Sequence, residues 1–362
     1  MRALWEGALE GRVAVGPSRR LRLGELAAVP VGEIDADTPS ATDRACWMAS
    51  VAAGEALRDA GWPARTLQGS DTALLVATTK GSLLAGQHVM EGRAPAETLR
   101  DVPLFALAAR LGASLRITGV VQTISVSCAS GTSALGHALR LIRQARATRV
   151  LVVGVDALSE FIVRGFFTLC ALAPDRARPF DARRAGLLVG EGAAALAIEA
   201  GEGSARALLC GYGGSNDAGH ITGPARDGAG LQRAVRAALS DAGRTAEEID
   251  AVSAHGTGTP YNDAMEGRAF FAILGARTVP VHGFKGAIGH TMGASGAIEA
   301  VLCVRGIEEG LWPPTAGLET LDPAIPLDVV QGAPRPVQAR VVVSSSSGFS
   351  GINSAVVLCR PC

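Results

Sequence analysis

The chain has 362 residues, and its 34 lysines and arginines balance 34 aspartates and glutamates to a formal net charge of +0. That balance excludes a dominant nucleic-acid or anionic-membrane surface. Hydrophobic residues make up 48%, aromatics only 4%, and there are 45 glycines, so the core is built from Ala, Val and Leu through tight turns, which suits layered α/β packing.

Taken in order, Met1, Leu4, Trp5, Ala8 and Leu9 predict a short amphipathic helix within residues 1–12, with no strand before it. Arg19 to Asp35 reads as an irregular stretch. A helix from about Ser40 closes at Ala56-Leu57-Arg58-Asp59-Ala60-Gly61, and a strand follows at Thr72 to Thr79. Helices near Leu83–Met90 and Leu104–Leu111, a strand over Val120–Val126, a helix, and strands at Val150–Val155 and Gly192–Ile198 complete the first half. The second half opens with a strand at Ala205–Tyr212 and a helix closing at Ala238-Leu239-Ser240-Asp241-Ala242-Gly243. It continues with a strand at Ile249–Ala254, helices at Asp263–Leu274 and Ala294–Glu308, and strands at Val341–Ser344 and Ala355–Leu358. The hexapeptide A-L-x-D-A-G ends a helix before a strand and a Gly/Thr turn in both halves, which points to a duplication. Two mixed α/β halves, 1–200 and 201–362, are expected, with chemistry at their junction and the most linker-like stretch at Glu199 to Ser204.

Seven scattered cysteines, no secretory leader and no apolar run long enough to span a bilayer point to a reducing cytoplasm and no membrane role. Cys359-x-x-Cys362 ends a strand instead of opening a helix, so it reads as incidental. Cys128 stands apart. Ser127-Cys128-Ala129-Ser130-Gly131 joins a strand to a helix whose Leu135, Ala138, Leu139 and Ile142 recur at helical spacing. A thiol projecting at a helix N-terminus is stabilised as thiolate and becomes a nucleophile, although a buried core cysteine is the plain alternative.

Two of the six histidines occupy unusual settings. His255 lies in Ala254-His255-Gly256-Thr257-Gly258-Thr259-Pro260, a turn too small-sided to bury an imidazole by packing alone, and His290 in Lys285-Gly286-Ala287-Ile288-Gly289-His290-Thr291. Only Lys80 and Lys285 are lysines, beside 32 arginines, so either can mark a position that arginine does not fill. Ser344 to Gly351 reads as a strand-to-strand loop whose single aromatic, Phe349, could supply a backbone N–H donor and a movable lid facing the cysteine.

Cys128-Ala129-Ser130-Gly131, Arg178-Pro179-Phe180-Asp181, Gly190-Glu191-Gly192, the His255 and Lys285/His290 segments and Gly348-Phe349-Ser350-Gly351 together resemble the β-ketoacyl-[acyl-carrier-protein] synthases in content, order and spacing. The resemblance runs from about residue 4 to the end. It implies the thiolase fold, a five-layered α-β-α-β-α sandwich of two pseudo-repeated halves, usually dimeric. It also implies that Cys128 takes an acyl chain from a carrier-protein thioester, with an oxyanion hole from the N–H groups of Cys128 and Phe349. His255 and His290 would stabilise the enolate left when malonyl carrier protein loses its carboxylate. Lys285, paired with Glu299, would set the electrostatics, and Thr257 and Thr259 would bond the pantetheine arm. No cofactor or metal is implied beyond the phosphopantetheine of the acyl carrier protein, and the partner subunit is a second copy or a related chain.

The chain departs from the family in three places. Met1 stands almost at the first helix, so either the true start lies upstream of this sequence or the sheet of the first half lacks an outer strand. Ser347 stands where many members carry a second phenylalanine, and Gly258 replaces a serine common in fatty-acid members. Gly258 and Asn262-Asp263-Ala264-Met265-Glu266 are similar to polyketide and aryl polyene synthases. Fatty-acid and polyketide substrates both remain open, as do a non-condensing chain-length subunit and a thiolase-fold acyltransferase. Arg140, Arg143, Arg146 and Arg149 are candidates for carrier docking, but a solvated helix face is the preferred reading.

Overall fold

The computed structural model describes residues 1–39, 43–201 and 205–361; Ser40 at the expected helix start, the linker's last three residues and Cys362 lie outside them. The first half contains α1 (Arg2–Leu9), α2 (Arg44–Asp59), β1 (Thr72–Ala77), α3 (Leu83–Met90), α4 (Leu104–Leu115), β2 (Val121–Ile124), α5 (Ser130–Arg143), β3 (Arg149–Asp156), α6 (Glu160–Thr168) and β4 (Gly192–Glu199). The second contains β5 (Leu208–Asn216), α7 (Ala229–Asp241), β6 (Ala251–Ala254), α8 (Pro260–Leu274), β7 (Pro280–Gly283), α9 (Lys285–Ile288), α10 (Ser295–Glu309), β8 (Asp328–Val329), β9 (Val341–Gly348) and β10 (Ile352–Cys359).

The duplication appears in the sheets. In the first, strands lie in the order β2-β1-β3-β4, with β1 parallel to β2 and β3 and β4 antiparallel to β3. In the second the order is β8-β7-β6-β9-β10-β5, with β6 parallel to β7 and β9 and β10 antiparallel to β9. Thus β1, β2, β3 and β4 repeat as β6, β7, β9 and β10. The strand β5, which covers the outer edge of β10, has no counterpart on β4 among the described residues, and a groove of ≈ 1770 Å³ runs along β4, lined by Trp5, Trp47, Val51, Leu196 and Ile198. The repeated hexapeptide is a repeated helix stop. Gly61 and Gly243 take φ of 64° and 63°, and the N–H of the next residue reaches back to Leu57 O (3.1 Å) and Leu239 O (2.9 Å), a left-handed cap that glycine adopts without Cβ strain.

Both sheets are covered on both faces, so their central strands are apolar throughout instead of alternating. Ala73, Leu75, Val150 and Val152 face α5 and α10 in the middle layer, while Leu74, Val76, Leu151 and Val153 face α2 and α4 outside. Val342 and Val356 of the second sheet meet the same middle layer, and Val343 and Val357 pack outward on α7 and α8. The result is the five-layered sandwich.

The duplicated helices α5 and α10 touch through glycine. A Cβ on Gly131 would lie 2.6 Å from Ala297 N, and one on Gly296 would lie 2.5 Å from Thr132 N. This close crossing at their N-terminal ends brings the Cys128 turn and the His290 turn together.

Two expectations need correction, and two elements were not expected. The strand expected at Ala205–Tyr212 lies at Leu208–Asn216, because Gly211, Gly213 and Gly214 are strand residues here. Gly213 lies against α7, where a Cβ would come within 2.5 Å of Ala238 N. The loop expected over Ser344–Gly351 is mostly strand: Ser344, Ser345 and Ser346 are fully buried in β9, and only Phe349–Gly351 turns. Helix α6 and strand β7 escaped the sequence pattern, β7 because its four residues include His282 and Gly283.

Candidate active site

The turns after β1, β2, β3, β6, β7 and β9 all lie at strand C-termini, the usual site end of a parallel sheet. Cys128 follows β2 in an elbow where Ser127 takes φ 53°, the Ser130 hydroxyl donates to Ser127 O (2.6 Å) and Val126 N donates to that hydroxyl (2.9 Å). The cysteine is buried, and its resting form is a thiol, not the thiolate expected. Burial pushes the Cys128 thiol up to about 11, outweighing the Lys285 and Lys80 charges and the Phe349 N–H that pull it down. At the helix start the N–H groups of Ala129 and Ser130 are taken by Val126 O (3.2 Å) and Ser127 O (3.2 Å).

Gly348 seats the end of β9 against this elbow; a Cβ there would lie 3.1 Å from Cys128 N. The two N–H groups of the expected oxyanion hole are therefore neighbours. Phe349 packs on Phe166 of α6 with ring centroids 5.8 Å apart. Phe166 was not anticipated, and nothing in its sequence surroundings marks it.

His255 and His290 stand edge to face, centroids 5.1 Å apart. Both are 2% exposed, so the His255 turn does bury its imidazole, with the His290 ring packed edge to face against it from another turn. Burial, then the Lys285 charge, holds both well below the ordinary histidine range, and both are neutral at pH 7. Met292 N donates to His290 Nδ1 (3.2 Å), which leaves the ring proton on Nε2 as a donor. Nδ1 of His255 is buried without a partner.

Lys285 donates to Glu299 Oε1 (2.5 Å) and to His255 O (2.5 Å), with both charged side chains 2% exposed. The His255 turn is held from below by two acids that went unassigned in the sequence. Glu266 accepts from His255 N and Gly256 N (2.7 Å each), and Asp263 accepts from Phe180 N (2.7 Å) and Gly258 N (3.1 Å). Their i, i+3 spacing just inside a helix start was the available signal. Thr257 and Thr259 share a hydroxyl–hydroxyl bond of 2.9 Å, with Thr257 the more buried. The arginine cluster is largely committed internally: Arg143 to Asp241 (2.8 Å), Arg149 to Glu199 (2.8 Å) and Arg140 to the His137 ring (2.9 Å).

A buried thiol, two neutral imidazoles and paired N–H donors can accept an acyl group and stabilise an adjacent enolate. Among the described residues no helix is long and apolar enough to cross a membrane.

Comparison with known proteins agrees with this chemistry. Residues 30–203 match the family model "Beta-ketoacyl synthase, N-terminal domain" and 206–319 match "Beta-ketoacyl synthase, C-terminal domain". The chain is 34% identical to "3-oxoacyl-[acyl-carrier-protein] synthase 2" of Synechocystis sp., covering 96% of this chain and 91% of that protein. Among solved structures it resembles "The ishigamide ketosynthase/chain length factor" with a TM-score of 0.93 and 32% identity, covering 99% of this chain and 95% of that one. It also resembles a type II PKS acyl-carrier protein in complex with its ketosynthase bound to the hexaketide (AntDE:AntF), with a TM-score of 0.89, 26% identity and coverage of 98% and 94%.

Proposed function

The chain belongs to the β-ketoacyl synthase family and is a β-ketoacyl-[acyl-carrier-protein] synthase, and we propose that Cys128 carries the acyl group while His255 and His290 manage the malonyl unit. The observation that carries this division is the edge-to-face histidine pair, both rings neutral and buried, at the site of the cysteine.

The Cys128 sulfur attacks the acyl thioester, the bond to the pantetheine sulfur breaks, and that sulfur leaves with the proton the thiol gave up. The Cys128 and Phe349 N–H groups hold the oxyanion. A malonyl group then binds with its thioester oxygen at the two imidazoles and loses its carboxylate as carbon dioxide; the enolate carbon attacks the acyl-cysteine, the acyl carbon–sulfur bond breaks, the Cys128 sulfur takes up a proton from solvent, and the product is two carbons longer. Lys285 and Glu299 keep the histidine backbone in place, and Thr257 and Thr259 bond the pantetheine arm. No cofactor beyond the carrier's phosphopantetheine takes part.

The acyl carrier protein is the substrate-bearing partner. The second subunit is a related chain or another copy, as the ketosynthase/chain length factor relative suggests, with the halves at 1–200 and 201–362 and the work done in the cytoplasm. A non-condensing subunit would have no use for the Cys128 elbow.

The test is intact mass. The protein should gain one acyl group from an acyl carrier protein thioester, Cys128→Ala should gain none, and malonyl carrier protein should turn the acyl-enzyme over to a β-ketoacyl product. Failure of Cys128 to load from every chain offered would overturn the reading.

A further inference from the structure

The turn after β1 has no task in this mechanism, yet the duplication places it where the His255 turn stands in the other half. It carries Lys80, one of the two lysines in the chain. Buried Asp156 at the end of β3 holds it rigidly, accepting from the hydroxyls of Thr78 and Thr79 (2.7 Å each), from Lys80 N (3.0 Å) and, from the other half, from Gly293 N (2.7 Å). Gly293, three residues past His290, sits directly on the turn: a Cβ there would lie 3.0 Å from Thr78 Cα and from Thr79 N. The Lys80 turn and the His290 turn are thus one packed unit.

The two lysines differ in their compensation. The Lys285 charge is matched by Glu299. The half-buried Lys80 ammonium meets no acid within ion-pair distance among the described residues, and its charge reaches both Cys128 and His290. An alkyl chain laid from Cys128 past this ammonium would strip its water and offer no acceptor in return, which is unfavourable for any charge. A chain with an oxygen near the thioester would replace that water.

We propose that Lys80 selects the acyl group, donating a hydrogen bond to a 3-oxo oxygen on the chain carried by Cys128. This rests on the condensing reading above and narrows its substrate from acyl groups in general to β-oxo ones. Transfer itself is unchanged: the new sulfur–carbon bond forms on Cys128, and the pantetheine sulfur departs with the proton.

The experiment follows acyl transfer to Cys128 by intact mass from acetoacetyl and butanoyl carrier protein, matched in length, for the wild type, Lys80→Arg and Lys80→Met. Thermal melts of all three confirm folding. Acetoacetyl is the more reactive thioester, so the quantity read is how the acetoacetyl-to-butanoyl rate ratio changes between proteins. Lys80→Met should lower it about tenfold or more, and Lys80→Arg should retain most of it. An equal ratio in wild type and Lys80→Met, with both groups loading and turning over with malonyl carrier protein, overturns the role of Lys80 and leaves the condensing reading intact. Loading of neither group on the wild type overturns both. Should Lys80→Met not fold, a Lys80→Leu ratio equal to that of the wild type is equally decisive against the proposal.

Discussion

At Cys128 the effect of burial on charge can be measured directly. A thiol held at about 11 ionises in the folded protein only well above neutrality. The rate of Cys128 alkylation by iodoacetamide, read by peptide mass, should therefore climb by about tenfold per pH unit from pH 7 to 10 without a plateau. A plateau near pH 8.5 would contradict the burial argument. The linkage has the same origin: the folded state keeps the proton that the unfolded chain gives up near 9, so this group's stabilising contribution is complete below pH 9 and is lost as pH rises from 9 towards 11. The ion pair of Lys285 and Glu299 gives a second test at this scale. Removing one partner strands a buried charge, so Lys285→Met should lower stability by about 3–5 kcal/mol. The double variant Lys285→Met/Glu299→Leu should lose less, as compared by urea unfolding. His290→Ala should keep Cys128 loading and lose condensation by at least about a hundredfold, because it removes a donor used only by the enolate.

Among the elements, the end of β9 determines how the oxyanion hole closes. Gly348 has an ordinary φ of −120°, so alanine is allowed by the backbone, but its Cβ would press on Cys128 N at 3.1 Å. Gly348→Ala should slow acyl transfer by about tenfold while the melting temperature moves little, measured by single-turnover mass shift. The serine run in β9 shows why this element was misread. Four consecutive serines resemble a loop in one dimension, but Ser346 bonds the Thr132 hydroxyl of α5 (2.8 Å) and Ser347 bonds Asn353 (2.8 Å). Those partners are distant in the chain or across the hairpin, and only the folded layers supply them. The helix stops at Gly61 and Gly243, in contrast, were legible because a left-handed cap is a property of a few adjacent residues.

Across the whole molecule, the two halves meet through α5 and α10, and the glycines at their crossing set the separation of cysteine and histidines. Gly296→Ala would drive a Cβ to within 2.5 Å of Thr132 N, and backbone cannot move aside cheaply. Destabilisation of about 1–3 kcal/mol is expected, with reduced acyl transfer even in the folded fraction, measured by urea midpoint and mass shift. Most of the helices and strands, the duplication and the residue types of the site follow from the sequence by itself, because periodicity, caps and small-residue turns are local; helix α6 and strand β7 do not. The tertiary structure alone decided that Cys128 rests as a thiol, that both imidazoles are buried and neutral, that Phe166 backs Phe349, and that the Lys80 turn packs on Gly293. Each of these depends on desolvation and contacts between segments far apart in the chain, and neither is encoded in the neighbours of a residue.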